Sequence, residues 1–92
     1  MSSSGNYKIV ILNSAQKDKK KIKQNPILKK NVDKLLEILK ENPFQNPPTY
    51  EKLSGNLNMF YSRRINSQHR LVYMVYKKEK IVEIVSMWTH YY

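Results

Sequence analysis

Ninety-two residues, 40% of them apolar, suffice for one compact domain over residues 1–92, and 17 basic against 7 acidic residues leave a net charge of +10. That excess repels itself in the folded state and points to an anionic partner. The lack of cysteine excludes a disulfide framework, a thiolate zinc site and a cysteine nucleophile, and no apolar run approaches the ~20 residues that a bilayer requires. Residues 1–6 have no apolar core for a signal peptide and are expected to be disordered, so the chain reads as a soluble, cytoplasmic domain.

In chain order, the run Tyr7-Lys8-Ile9-Val10-Ile11-Leu12 predicts a strand over 7–12. Asn13-Ser14 offers cap chemistry for a helix over 15–24 that carries Lys17, Lys19, Lys20, Lys21 and Lys23, with Ile22 as its only large apolar residue. Asn25-Pro26 breaks that helix, and Pro26 suits the first turn of the next, where its missing N–H costs nothing. From 27 to 41 the apolar residues Leu28, Val32, Leu35, Leu36 and Leu39 recur at helical spacing, the pattern of a buried stripe. Asn42-Pro43 ends the helix and Asn46-Pro47-Pro48-Thr49 is a loop.

Beyond the loop, residues 50–53 predict a short extended piece, followed by strands over 59–65, 70–76 and 80–89, with hairpin connections at 66–68 and 77–79. The result is an α+β fold: β-α-α, then an antiparallel β-meander, with two helices packed on one sheet face and the other face open. Charge is divided along the chain as well. Through Glu41 every cation is lysine, whereas Arg63, Arg64 and Arg70 fall within eight residues and nine of the ten aromatics follow Pro43.

The same residues limit the chemistry. His69 and His90 match no zinc spacing, no carboxylate pattern suggests a two-metal nuclease cage, and two glycines cannot build a phosphate loop, so no metal or other cofactor is expected. If the chain cuts a nucleic acid, the simplest metal-free route uses the nucleophile already in RNA, its 2′-hydroxyl. That route needs a base, a cation for the pentacoordinate phosphorus and an acid for the departing 5′-oxygen. Glutamate, arginine and histidine suit these tasks, and the second half of the chain offers Glu51, Arg63, Arg64, Arg70 and His90, with Tyr91 beside the histidine. Most small basic domains contain such residues, so composition alone does not select this chemistry.

The order of motifs is more specific. Glu51-x-Leu53, then Tyr61-Ser62-Arg63-Arg64-Ile65, then His69-Arg70-Leu71-Val72-Tyr73, then His90-Tyr91 resembles the YoeB/Txe group of the RelE/ParE toxin superfamily. The match is close from Pro43 onward and in outline before it. The resemblance implies a RelE-like fold and the toxin of a type II toxin–antitoxin pair: an mRNA endoribonuclease acting in the 30S A site of the ribosome and neutralised by an acidic, YefM-like antitoxin. By the family pattern Glu51 is the general base, His90 the general acid and Arg70 the stabiliser of the transition-state phosphate. Tyr91 positions substrate or supports the acid. Lys52, Arg63 and Arg64 are expected as RNA- or phosphate-binding residues, the two arginines being phosphate-binding or structural rather than catalytic. A homodimer is compatible with the group, although no self-complementary apolar patch is legible in one chain. Tyr92 extends the chain beyond the His-Tyr pair at which relatives commonly end, and Asn58-Met59 stands where many have a short-polar/Gly pair.

Other residues invite plainer roles. The ordinary role for Arg70 is a salt bridge to Glu51, and His69 is expected to be structural or hydrogen-bonded. Trp88 is expected in the core or as a pocket wall rather than as a base-stacking platform. Tyr50 and Tyr61 divide evenly between packing and nucleotide contact. The helix lysines are expected to form a solvated face, which a ribosomal partner would turn into a backbone-binding surface. Two other functions compete: a superfamily toxin that inhibits a target such as gyrase by binding alone, and a generic basic RNA- or ribosome-binding module.

Overall fold

The computed structural model describes residues 6–53 and 59–88. Five strands and two helices follow in the order β1 (Lys8–Ile11), α1 (Asn13–Lys23), α2 (Pro26–Glu41), β2 (Tyr50–Lys52), β3 (Tyr61–Arg64), β4 (Arg70–Tyr76) and β5 (Ile81–Ser86). The strands form one sheet in the order β1-β5-β4-β3-β2, parallel between β1 and β5 and antiparallel elsewhere. The expected α+β arrangement is present. The parallel seating of β1 against the last strand is a long-range pairing that no local pattern announces.

The helices form where the periodicity placed them. In α2 the stripe Leu28, Val32, Leu35 and Leu39 is buried, Asn25 Oδ1 accepts the Leu28 N–H at 3.2 Å, and Pro26 occupies the first turn. In α1 only Ala15 and Ile22, two turns apart, are buried, so the lysines stay largely in water. Both helices lie on one sheet face, where these residues pack with Ile65, Leu71, Tyr73, Val82, Ile84 and Met87. Strand alternation sends the intervening residues to the opposite face.

The start of α1 differs from expectation. Asn13 and Ser14 lie inside the helix, Leu12 holds the cap position, and no side chain caps it. The Ser14 hydroxyl instead donates to the Val85 carbonyl at 2.7 Å. Its partner explains the exchange. The β4–β5 register runs from Tyr73 opposite Ile84 to Val72 opposite Ser86, so Val85 is an extra bulged residue whose carbonyl needs a donor. One turn further, Asp18 accepts the Met87 N–H at 3.1 Å and the Ser86 hydroxyl at 3.4 Å. These contacts bend the chain out of the sheet, and β5 ends at Ser86, short of the predicted 89.

Leu39 is fully buried in the core shared by the helices and the sheet. Leu39→Ala is expected to lower the unfolding free energy by about 2–5 kcal/mol, read as a lower urea midpoint at unchanged m-value. The half-buried Leu36 should lose much less on the same change.

Candidate active site

Three consecutive residues of β3 organise the site. Ser62 and Arg64 point to the face free of helices, and Arg63 between them points into the core side. Ser62 is flanked by Glu51 of β2 and Val72 of β4, and Arg64 lies directly opposite Arg70. Glu51 and Arg70, 19 residues apart in sequence, are thereby set on the two strands that flank β3.

Arg70 Nη1 lies 3.3 Å from Glu51 Oε1 and 3.3 Å from Ser62 Oγ. The Arg70 side chain is 23% exposed and that of Glu51 63%, so the guanidinium is held by its surroundings while the carboxylate faces water. An ion pair this exposed contributes about 0–1 kcal/mol and can open without appreciable cost. Arg64 and Arg70 present like charges on directly opposed positions, an arrangement that an anion relieves. Pro48, Thr49, Glu51, Ser62, Arg64 and Arg70 line a cleft of about 360 Å³. It can take a proton at Glu51 and hold a phosphate oxygen between two guanidiniums. Among the described residues, no three His, Cys, Asp or Glu side chains gather as metal ligands.

Of the two roles open to Arg63, phosphate-binding and structural, the structure corrects the first and supports the second: at 1% exposure the side chain cannot reach an external anion. Its Nε donates to Tyr73 Oη at 3.1 Å, Nη1 to the Pro48 carbonyl at 2.6 Å, and Nη2 to the carbonyls of Pro43 and Gln45 at 3.0 and 2.8 Å. The Tyr50 ring covers it at 4.9 Å, and the Tyr73 hydroxyl donates to the Pro43 carbonyl at 3.2 Å. Burial pushes Tyr73 up to about 12, against the opposing charge and hydrogen bond of Arg63. Lys52, exposed beside Glu51 on β2, is turned by strand alternation to the opposite face, away from the Glu51–Arg70 pair.

The remaining candidates fall as follows. Glu51, Arg64 and Arg70 share the cleft. The His69 ring contacts Asn66 Oδ1 at 3.1 Å and packs edge-on against Trp88 at 4.2 Å, which gives both residues the hydrogen-bonded and packing roles anticipated. Tyr50 and Tyr61 join Phe44 in a ring cluster, so packing occupies both. His90, Tyr91 and Tyr92, like residues 1–5, lie outside the described residues. Ser62, Pro48 and Thr49 were missed. Ser62 was within reach of sequence reasoning, since it shares strand parity with Arg64. Pro48 and Thr49 carried no such signal.

A two-helix, five-strand α+β domain with a carboxylate–guanidinium pair on its open face has the fold of the RelE/YoeB toxins. The family described as "YoeB-like toxin of bacterial type II toxin-antitoxin system" matches residues 13–91. The toxin YoeB of Synechocystis sp. is 38% identical over 64 residues, 70% of this chain and 72% of that protein. The YoeB dimer from Staphylococcus aureus superposes with a TM-score of 0.81 at 35% identity, covering 94% of this chain and 99% of that one. The toxin in the heterotetrameric YoeB–YefM complex of the same organism gives 0.78 at 36% identity, covering 92% and 98%. The chain belongs to the YoeB-like toxins and is the toxin of a type II toxin–antitoxin system.

The raised value of Tyr73 makes stability pH-dependent at the alkaline end. An unfolded tyrosine ionises near 10, whereas folded Tyr73 keeps its proton to about 12. Its contribution is therefore complete below pH 10 and is lost as pH rises from 10 to about 12. Urea unfolding of wild type and Tyr73→Phe across that window should show a steeper decline for wild type, and tyrosinate absorbance should show one phenol ionising late.

Proposed function

We propose that this toxin is a ribosome-dependent endoribonuclease that cuts mRNA in the A site without a catalytic metal, and so halts translation. Glu51 takes the proton of the 2′-hydroxyl, and the resulting oxygen attacks the adjacent phosphorus. Arg70, with Arg64 beside it, neutralises the charge that builds on the pentacoordinate phosphate. His90 gives its proton to the departing 5′-oxygen, and Tyr91 supports that transfer. The products are a 2′,3′-cyclic phosphate, which water can open to a 3′-phosphate, and a 5′-hydroxyl.

The observation that carries this reading is the 3.3 Å contact between Glu51 and Arg70 inside a cleft that holds a second arginine. A weak, exposed pair suits a base that must release its cation to a phosphate, as a strong buried pair would not. Family membership supports the enzyme reading over a generic basic module, and over a toxin that acts by occupying its target. Because catalysis of this kind consists of positioning and electrostatics, the ribosome's shaping of the mRNA is part of the machinery, and slow cutting of free RNA is consistent with it.

The partners follow from charge and kinship. The YoeB of S. aureus is found with YefM and as a dimer. For this chain, with its net +10, an acidic YefM-like antitoxin is the complementary partner, and a homodimer is a second assembly open to it. Its place of action is the cytoplasm, where ribosomes translate. Among the described residues no helix is long and apolar enough to cross a membrane.

In a reconstituted translation reaction, Glu51→Gln is expected to slow mRNA cleavage by about 10²–10⁴-fold, and Arg70→Ala by about 10²–10³-fold, with circular dichroism unchanged. The 5′ fragments made by wild type should end in cyclic or 3′-phosphate. Equal cutting by all three proteins would defeat the reading. Cleavage should also survive removal of trace zinc and manganese at a magnesium level that keeps ribosomes intact.

A further inference from the structure

We propose that Arg63 is the positioning residue of this site: its buried guanidinium clamps the loop before β2 and so fixes where the Glu51 carboxylate stands. The inference rests on Glu51 being the proton acceptor.

β2 is three residues long and lies at the edge of the sheet, so its ladder to β3 holds it weakly. The chain entering it, from Pro43 to Thr49, has no regular structure apart from a turn. Arg63 compensates from the core side. Its three carbonyl acceptors, on Pro43, Gln45 and Pro48, span that segment, and its Cζ lies 4.9 Å from the ring centroid of Tyr50, which directly precedes Glu51. Tyr73 completes the clamp by accepting from Arg63 Nε while donating to Pro43. Pro48, held at 2.6 Å, also forms part of the cleft wall together with Thr49. One buried side chain thus determines the path of the wall and the position of the base.

The composition of the clamp argues for placement rather than bulk stability. Burying a guanidinium is costly, and none of its four hydrogen-bond acceptors is a carboxylate. Apolar residues of similar volume often stabilise a core as well or better. What they cannot do is bring three carbonyls to fixed points, which the planar fork of arginine does. Lysine keeps the charge and offers a single nitrogen, so it cannot span the same acceptors.

The test uses the full chain with translating ribosomes under single-turnover conditions, alongside site-resolved amide hydrogen exchange on the free protein. Arg63→Lys should fold and reach half-saturation within about twofold of wild type. Its saturating rate should fall about 30-fold or more, in the range that a misplacement of about an ångström costs. Exchange in β2 should rise about tenfold or more while the core amides of α2 stay protected. Tyr73→Phe, which removes both hydrogen bonds of the hydroxyl and keeps the three carbonyl acceptors of Arg63, should lower the saturating rate by about 3–10-fold, and it decides the matter if Arg63→Lys does not fold. A saturating rate within about twofold of wild type, with β2 still protected, would overturn the proposal. So would a loss of rate that follows the folded fraction, with protection lost evenly across the chain. If Glu51→Gln cuts as wild type does, the base assignment fails on its own, and the exchange pattern in β2 then decides whether Arg63 sets its position.

Discussion

Strand alternation in β3 is the constraint on which the molecule's organisation depends. Successive side chains of an extended chain must leave on opposite faces, and both helices cover the same face of this sheet. Ser62, Arg63 and Arg64 are therefore parted by geometry, two toward the open cleft and one toward the core side. A one-residue slip in the β3–β4 register would exchange these positions, putting one cation in water and two polar side chains against the helices. The buried packing of Leu71 and Tyr73, which share the core-side parity of Arg63, fixes the register against that slip.

The two arginines with hydrogen-bonded partners meet their charge in opposite ways. Arg63 gives up water and recovers the loss through four acceptors and a ring, all supplied by the chain itself. Arg70 stays at the surface with one exposed carboxylate and one hydroxyl, contacts that an incoming anion can displace. Among the described residues the buried side-chain polar atoms all have partners, while the cleft face keeps cations in excess of carboxylates. A net charge of +10 over the whole chain, to which the lysine-rich helices contribute, adds a long-range attraction for polyanions without fixing a register on them.

Family kinship covers residues 13–91, a span that takes in the stretch from Glu51 to Tyr73. The coordinates contribute the ion pair, the cleft and the difference between Arg63 and its neighbours. That difference shows that two adjacent arginines in one motif occupy different faces of the sheet, one buried and one exposed.

Much of the fold was legible in the residues themselves. The α2 stripe, the Asn25-Pro26 break and the strand at 70–76 depend on local periodicity and backbone sterics, which act over a few residues and leave their mark in order and spacing. The salt bridge between Arg70 and Glu51 was foreseeable as the plain role for two opposite charges near one edge. What only the tertiary structure decided involves partners remote in the chain. The parallel pairing of β1 with β5, the use of Ser14 and Asp18 to hold the Val85 bulge and the end of β5, and the burial of Arg63 among carbonyls 15–20 residues away are of this kind. Each satisfies a polar group that becomes buried only when distant segments meet, and a requirement that arises on packing leaves no periodic trace along the chain.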